Sequence, residues 1–199
     1  MIALVDYGAG NLTSVRKALA ALGAGVWTPT VPGELARAHG IIVPGVGHFD
    51  TTRGLTGDWR SAIAATIADG TPLLGICVGL QWLFEGSVEA PGVAGLGVFA
   101  GVCQRVGGDD TLKVPHVGWN SLTMPRPSKL MAGVADGTQV YFTHSYAAPV
   151  VDDTVAVCDY GAPFSAAVEH DRVSAVQFHP EKSGPAGLHI LGNWLRDVV

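Results

Sequence analysis

Gly75-Ile76-Cys77-Val78-Gly79-Leu80-Gln81 is the stretch from which the fold can be read. It closes an apolar run that begins at Pro72-Leu73-Leu74, short and turn-bounded as a buried strand is, and it continues into Leu80, Trp82, Leu83 and Phe84 at helix-compatible spacing. Cys77 is therefore expected where strand turns into helix. The glycines two residues before and two after it suit a very sharp turn, because neighbouring backbone can pass close to them. This is the pattern of a nucleophile elbow with cysteine in place of serine. Such an elbow lifts the sulfur above the sheet edge. It also turns the first amides of the next helix toward the space beside the sulfur, where they favour a thiolate and can bind an oxyanion. The plain alternative is a buried core cysteine, so Cys77 needs partners elsewhere in the chain.

Upstream of the elbow, strands and helices alternate. Ile2 to Val5 read as a buried strand, and Asn11 can cap a helix carrying Leu12, Val15, Leu19 and Leu22 on one face before Gly23 ends it. Gly25 to Thr28 give a second short strand and Ile41-Ile42-Val43 a third, followed by Pro44-Gly45-Val46-Gly47, a loop with accessible backbone amides. Ile63 and Ile67 mark a helix that stops at Gly70. Strands joined by helical crossovers imply a parallel sheet, which places ligands beyond the carboxyl ends of its strands. The PGVG loop and Cys77 both fall at that edge.

Downstream the pattern changes. Val98 to Val106, Trp119 to Thr123, Gln139 to Thr143, Thr154 to Cys158, Ser165 to Glu169 and Arg172 to Gln177 read as strands, several joined by short turns such as His170-Asp171. The expectation is a mixed, largely parallel central sheet flanked by helices, with a partly antiparallel extension. A last helix from about Pro185 carries Leu188, Leu191, Leu195 and Val198 on one face. Between the last strand and that helix lies His179-Pro180-Glu181-Lys182-Ser183. A cysteine nucleophile needs a base for its proton, and the base needs an acceptor on its other nitrogen; His179, at a strand end, and Glu181 fit those roles. His179 alone would read as one structural histidine among seven. Paired with the elbow, the strand-end His-Pro-Glu is far more specific than either motif.

Composition narrows the class. The 199 residues are 48% hydrophobic and 15% charged, enough to bury one substantial core, so one domain over 1–199 is expected. A net charge of −5 with no Lys/Arg cluster argues against a nucleic-acid or acidic-membrane binder. Cysteines at 77, 103 and 158 have neither disulfide-framework nor metal-ligand spacing, so no metal site is expected and a reducing cytoplasm fits best. The start lacks a basic region and meets Asp6 after four apolar residues, unlike a signal peptide, and the apolar run 72–84 is too short and glycine-broken to span a bilayer. Tyr7-Gly8-Ala9-Gly10-Asn11 is an incomplete dinucleotide loop with no acidic ribose partner in place.

Together the cysteine elbow and the H-P-E motif, in this order, resemble the class I glutamine amidotransferases over essentially the whole chain. Four further segments sharpen the likeness: Asp6 to Asn11, Pro44 to Phe49, Pro115 to Asn120 (PHVGWN) and Tyr141 to Tyr146 (YFTHSY). They are similar to the branch formed by the glutaminase subunits of imidazole glycerol phosphate synthase. That branch often has glycine where Asp50 stands, and Leu and Met where Val78 and Leu80 stand; the 51–58 stretch is unfamiliar and carries no reading.

The resemblance implies glutamine hydrolysis through a cysteinyl thioester, with Cys77 as nucleophile, His179 as acid and base, and Glu181 orienting the imidazole. The Val78 amide, directly after the nucleophile, is one oxyanion donor by geometry; the resemblance supplies a second at Val46, in a loop whose peptide can flip. It also maps a glutamine pocket onto Gly47, Gln81, Glu89, Ser145 and Tyr146, although Glu89 read alone is a solvated helix-end acid and His144 could equally brace the loop. No cofactor is implied. The chain shows no ATP motif or P-loop, so the ammonia acceptor belongs on another polypeptide. By resemblance that is a barrel-shaped cyclase subunit forming a heterodimer through Asn11, Trp119, Tyr141 and Lys182, in histidine biosynthesis. Other readings are a glutaminase of pyridoxal phosphate or anthranilate synthesis, the former disfavoured by PGVG in place of a PGGE-type loop, and a non-catalytic regulatory module of the same fold.

Overall fold

Four strands whose residues are buried without exception form the middle of the molecule, and their sequences explain the arrangement. The computed structural model describes residues 1–107 and 112–198. Its elements in chain order are β1 (Ile2–Leu4), α1 (Leu12–Ala21), β2 (Val26–Trp27), β3 (Gly40–Gly45), α2 (Asp58–Ala68), β4 (Leu73–Cys77), α3 (Val78–Leu83), β5 (Gly86–Ser87), β6 (Val102–Arg105), β7 (His116–Ser121), β8 (Gln139–His144), β9 (Tyr146–Ala147), β10 (Thr154–Asp159), β11 (Pro163–His170), β12 (Val173–Val176) and α4 (Gly184–Leu195). Every residue of β1, β3, β4 and β12 is buried. Such continuous apolar runs are what a sheet covered on both faces requires.

Among the described residues the main sheet has seven strands in the order β10-β11-β12-β4-β3-β1-β2. From β12 to β2 neighbouring strands are parallel, while β10 and β11 run antiparallel beyond β12. The expected mixed, largely parallel sheet is observed. The register aligns its carboxyl edge: Gly45 lies opposite Cys77, and Ile76 is flanked by Pro44 and Val176. Three adjacent strands therefore end side by side.

The helices are explained by their caps and apolar stripes. Asn11 accepts from the Ser14 amide at 3.2 Å, and Val15, Ala18 and Leu19 face inward. In α4, Pro185 lies in the first turn and Ile190, Leu191 and Trp194 are buried, each contributing about 1.5–3 kcal/mol of burial. None of the described helices is long and apolar enough to cross a membrane.

Two expectations from sequence are revised, and one unread stretch takes a shape. The segment 98–106 is a strand only over Val102–Arg105; the Val98 and Phe99 amides instead bond the Leu83 carbonyl at 2.8 and 3.1 Å, closing the end of α3. The antiparallel part is split: β7 and β8 form their own hairpin-like pair, fastened to the main sheet by a Thr123–Val157 bridge, and β5, β6 and β9 form a small separate sheet. Part of the 51–58 stretch, which carried no reading, falls in a 3-10 turn over Phe49–Leu55 with Phe49, Thr52 and Leu55 buried.

Candidate active site

Cys77 is the last residue of β4 and the N-cap of α3, at φ 55° and ψ −109°. A non-glycine residue with positive φ stores strain of order 1–3 kcal/mol and persists only where its surroundings impose it. The surroundings here are tight: a methyl group on Gly79 would collide with the Val43 carbonyl oxygen of the neighbouring strand. Glycine at 79 is thus a packing requirement that lets the helix start directly above the sheet. The other two cysteines are unsuited to nucleophilic work, since burial pushes Cys103 and Cys158 up to about 12.

His179 follows β12 by three residues, on the strand adjacent to β4. Its ring is 1% exposed, and Nδ1 lies 2.8 Å from Glu181 Oε1, itself on a side chain 1% exposed. Nε2 is buried with no hydrogen-bond partner among the described residues. Burial opposes charge on this ring, but the Cys77 sulfur and then the Glu181 carboxylate outweigh it and lift His179 to about 9. The turn is pinned to β8 from both ends. The His179 amide donates to the Tyr141 carbonyl at 2.9 Å, and the Ser183 hydroxyl donates to the His179 carbonyl at 2.7 Å while accepting from the Tyr141 amide at 2.9 Å.

A cleft opens beside the sulfur. Its lining brings together Cys77 and Val78 with all of Gly47, Gln81, Glu89, Ser145 and Tyr146, as well as His48 and Thr143. Gln81 donates from Nε2 to the Tyr146 carbonyl at 2.7 Å and to Gln177 Oε1 at 3.2 Å. Both of its N–H groups are then occupied, so only its carbonyl oxygen is left to meet a ligand. Glu89 is part of the cleft rather than a solvated acid: Oε2 accepts from the Phe49 amide at 2.8 Å, and Oε1 lies 4.0 Å from His48 Nε2. Gly47 has φ +89° and nothing within 4 Å of where a side chain would begin, so its peptide has room to rotate. Val46, half-buried, is not in the lining.

The remaining expected positions are not in the cleft lining. Trp119 is 54% exposed, its ring edge-on to Tyr141 with centroids 6.2 Å apart, and the Lys182 ammonium sits 5.8 Å from the Tyr141 ring centroid. These three form one aromatic and cationic patch, with Val117 exposed beside it on β7. Asn11 is not in that contact set; it caps α1, which packs on the Pro180–Lys182 turn.

Sequence reasoning passed over several neighbours of the sulfur. Gln177 Nε2 donates to Cys77 Sγ at 3.6 Å, and the Thr143 carbonyl is 4.0 Å from it. Tyr7 carries a hydroxyl buried without a partner among the described residues; burial first, and then charge on Cys77, hold its proton well above the usual phenol range. His144 is buried against His116 and bonds the Tyr146 carbonyl at 3.0 Å, the bracing alternative for this residue. The signal available for Gln177 was a polar residue inside an apolar strand. Among the described residues no group of three or more His, Cys, Asp or Glu side chains is placed to hold a metal.

Comparison with known proteins gives concordant findings. The model of the family described as glutamine amidotransferase class-I matches residues 3–198. Imidazole glycerol phosphate synthase subunit HisH of Thermococcus kodakarensis is 50% identical over 202 aligned residues, covering 98% of this chain and 100% of that one. The subunits of the same name from Methanothermobacter thermautotrophicus and Deinococcus radiodurans are 44% and 42% identical, covering 100% of this chain and 99% and 94% of theirs. Among solved structures, a glutamine amidotransferase superposes with TM-score 0.76 at 19% identity, over 100% of this chain and 99% of that chain. PurLQS of Thermotoga maritima superposes with TM-score 0.77 at 18% identity, over 98% and 97%. At such identities these last two speak for the fold alone.

Proposed function

Because the chain belongs to the class I glutamine amidotransferase family, we propose that Cys77, His179 and Glu181 are the working groups of its glutaminase reaction, within one domain over residues 1–199. The chain is the glutaminase subunit of an imidazole glycerol phosphate synthase, an enzyme of histidine biosynthesis. Its substrate is L-glutamine, and its partner is the cyclase subunit, with which it forms a heterodimer.

The chemistry runs in two halves on one sulfur. His179 first takes the proton of the Cys77 thiol, and a ring lifted to about 9 can hold it beside the thiolate so formed. The thiolate attacks the side-chain amide carbon of glutamine, and the negative charge moves to the amide oxygen. The Val78 amide at the start of α3 and the Val46 amide, once its peptide rotates about Gly47, receive that oxyanion. As the tetrahedral centre collapses, the C–N bond breaks and His179 gives its proton to the departing nitrogen, releasing ammonia and leaving a thioester. The sulfur is now uncharged, so the first of the two influences that raised His179 is gone and the ring falls toward a base. It then takes a proton from water, the hydroxide adds to the thioester, and collapse returns the proton to sulfur with glutamate as product.

In the cleft, the Gln81 carbonyl oxygen and Glu89 are acceptors for the substrate's ammonium, while Ser145, Tyr146 and the Gly47 backbone hold its carboxylate end. Ammonia protonated by bulk water loses the lone pair it needs, so it passes by a sheltered route to the cyclase. There the second substrate is a phosphoribulosyl aminoimidazole-carboxamide nucleotide. The joint products are imidazole glycerol phosphate, the aminoimidazole-carboxamide ribotide and glutamate. The partner docks on the patch of Trp119, Tyr141 and Lys182, with Asn11 near its edge; an exposed aromatic beside a cation suits an interface core. Tyr141 links this patch to the reaction, because its backbone grips both ends of the His179 turn.

One observation carries the reading: a buried His179–Glu181 pair at 2.8 Å, with a free ring nitrogen, on the turn that follows the strand beside β4. The test is glutamate release by the purified chain, with and without the cyclase subunit and its nucleotide. Activity that rises with both and vanishes in Cys77→Ala is expected. No release, together with failure of a glutamine-analogue electrophile to label Cys77 in the complex, would sink the proposal in favour of a binding module.

A further inference from the structure

Gln177 is fully buried at the end of β12, where its neighbours in the chain are Val176 and Phe178. Burying a primary amide costs about 1–3 kcal/mol unless its groups are paired, so its two contacts matter. Oε1 accepts from Gln81 Nε2 at 3.2 Å, and Nε2 points at Cys77 Sγ at 3.6 Å.

Which end of each amide faces which neighbour is dictated by a backbone carbonyl. The Tyr146 oxygen, 2.7 Å from the Gln81 side chain, can only accept, so Gln81 must present nitrogen there. The second N–H of that nitrogen reaches Gln177, which must answer with oxygen. Nitrogen is thereby left on the sulfur side. A donor faces Cys77, not an acceptor.

The same carbonyl orders two histidines. His144 Nδ1 lies 3.0 Å from the Tyr146 oxygen and must carry a proton, which makes His144 Nε2 an acceptor. His116 Nδ1, at 3.1 Å, must then donate to it, and His116 Nε2 accepts from Asn120 Nδ2 at 3.4 Å, whose other hydrogen bonds the Asp159 carbonyl at 3.0 Å. This pattern requires both rings neutral, and burial holds His116 down to about 4 and His144 to about 3. Two runs of donors, one from β7 and one from Gln81, thus converge on Tyr146 and keep its carbonyl in place.

We propose that Gln177 takes part in the glutaminase reaction: its side-chain N–H stabilises negative charge on the Cys77 sulfur and fixes the direction in which the sulfur points, with Gln81 and the Tyr146 carbonyl as the groups that position it. The proposal rests on Cys77 being the nucleophile.

The test compares Gln177→Met, which removes the N–H at similar volume, with Gln177→Glu, which keeps the shape and replaces nitrogen by oxygen. Both are measured in the full chain with its cyclase partner. A hydrogen bond to a charged atom has a strength that predicts a fall of about 10- to 100-fold in kcat with KM changed less than about threefold. Alkylation of Cys77 by iodoacetamide at a fixed pH should slow by a similar factor. Unchanged kcat and alkylation in a folded variant, or equal losses in binding and turnover, would overturn the proposal. Should neither variant fold, the wild type decides. Among the side-chain amide signals of its four glutamines, the Gln177 pair should move when Cys77 is alkylated, and a stationary pair counts against the contact. A wild-type chain that releases no glutamate counts against the glutaminase reading, whereas the Gln177 contact stands or falls on the alkylation rate and the amide signal.

Discussion

Acidification from pH 6.5 to 5 should strike first at the His116–His144 pair. Both rings are buried, 3% and 6% exposed, and both are held far below the ordinary 6.5, His116 at about 4 by burial and His144 at about 3 by burial and then by the charges of His116 and His179. In the unfolded chain they take up protons near 6.5; in the folded chain they refuse them until pH 3 to 4. The unfolded state therefore binds more protons throughout that window, and stability falls as pH falls. Each pH step inside the window costs about 1.4 kcal/mol per group, so descending to pH 5 removes about 2 kcal/mol for each ring and about 4 for both. That is a large share of a typical stability of about 5–15 kcal/mol. His179 acts in the opposite sense and elsewhere: lifted to about 9, it contributes fully below 6.5 and loses that contribution as pH rises through 9, so stability peaks near 6.5. Urea unfolding at pH 7 and 5 measures the loss directly, and His116→Gln should roughly halve it. A wild-type loss below about 1 kcal/mol, or an undiminished loss in the variant, would refute the reasoning.

Glu181→Gln removes a carboxylate that lifts His179 and should cut kcat about 100- to 10,000-fold with little change in KM, measured by glutamate release. In the wild type, kcat/KM should decline above about pH 9 as the imidazolium that protonates the leaving nitrogen is lost, and a flat profile to pH 10 would reject that role. Gly79→Ala drives a methyl into the Val43 carbonyl and should destabilise by about 3 kcal/mol or more in denaturant titrations. Trp119→Ala should weaken association with the cyclase about 10- to 100-fold while Cys77 labelling in the free chain is kept; loss of labelling would mean that the exposed ring serves the fold instead.

Much of the edge of the sheet was legible in the sequence because its signals are local. An apolar run ending in Gly-Ile-Cys-Val-Gly admits few conformations, and His179 and Glu181 sit two residues apart on one rigid turn. What escaped depends on distance along the chain. Val98 and Phe99 have strand chemistry, yet their amides close the end of α3 because Leu83 has an unpaired carbonyl nearby. The β7–β8 pair reads as more of the main sheet until its register, His116 opposite His144, shows a separate unit. Gln177 is an ordinary strand residue in sequence; only the fold brings it to a sulfur 100 residues away. The oxyanion role of Val46 and the interface role of Asn11 entered by family likeness, whereas the helix cap at Asn11 was legible from the residues that follow it.

The last strand among the described residues, β12, lies inside the sheet between β4 and β11. On the ribosome, the thiol at 77 is therefore made long before the imidazole at 179, and at about 5–20 residues per second the interval is roughly 5 to 20 s. Throughout that time the nascent polypeptide has a sulfur with no base and an open apolar edge on β4, a template for mispairing. On the proposed mechanism the chain cannot hydrolyse glutamine before His179 has been added, and the slot beside β4 is where a product stalled or truncated before β12 would aggregate.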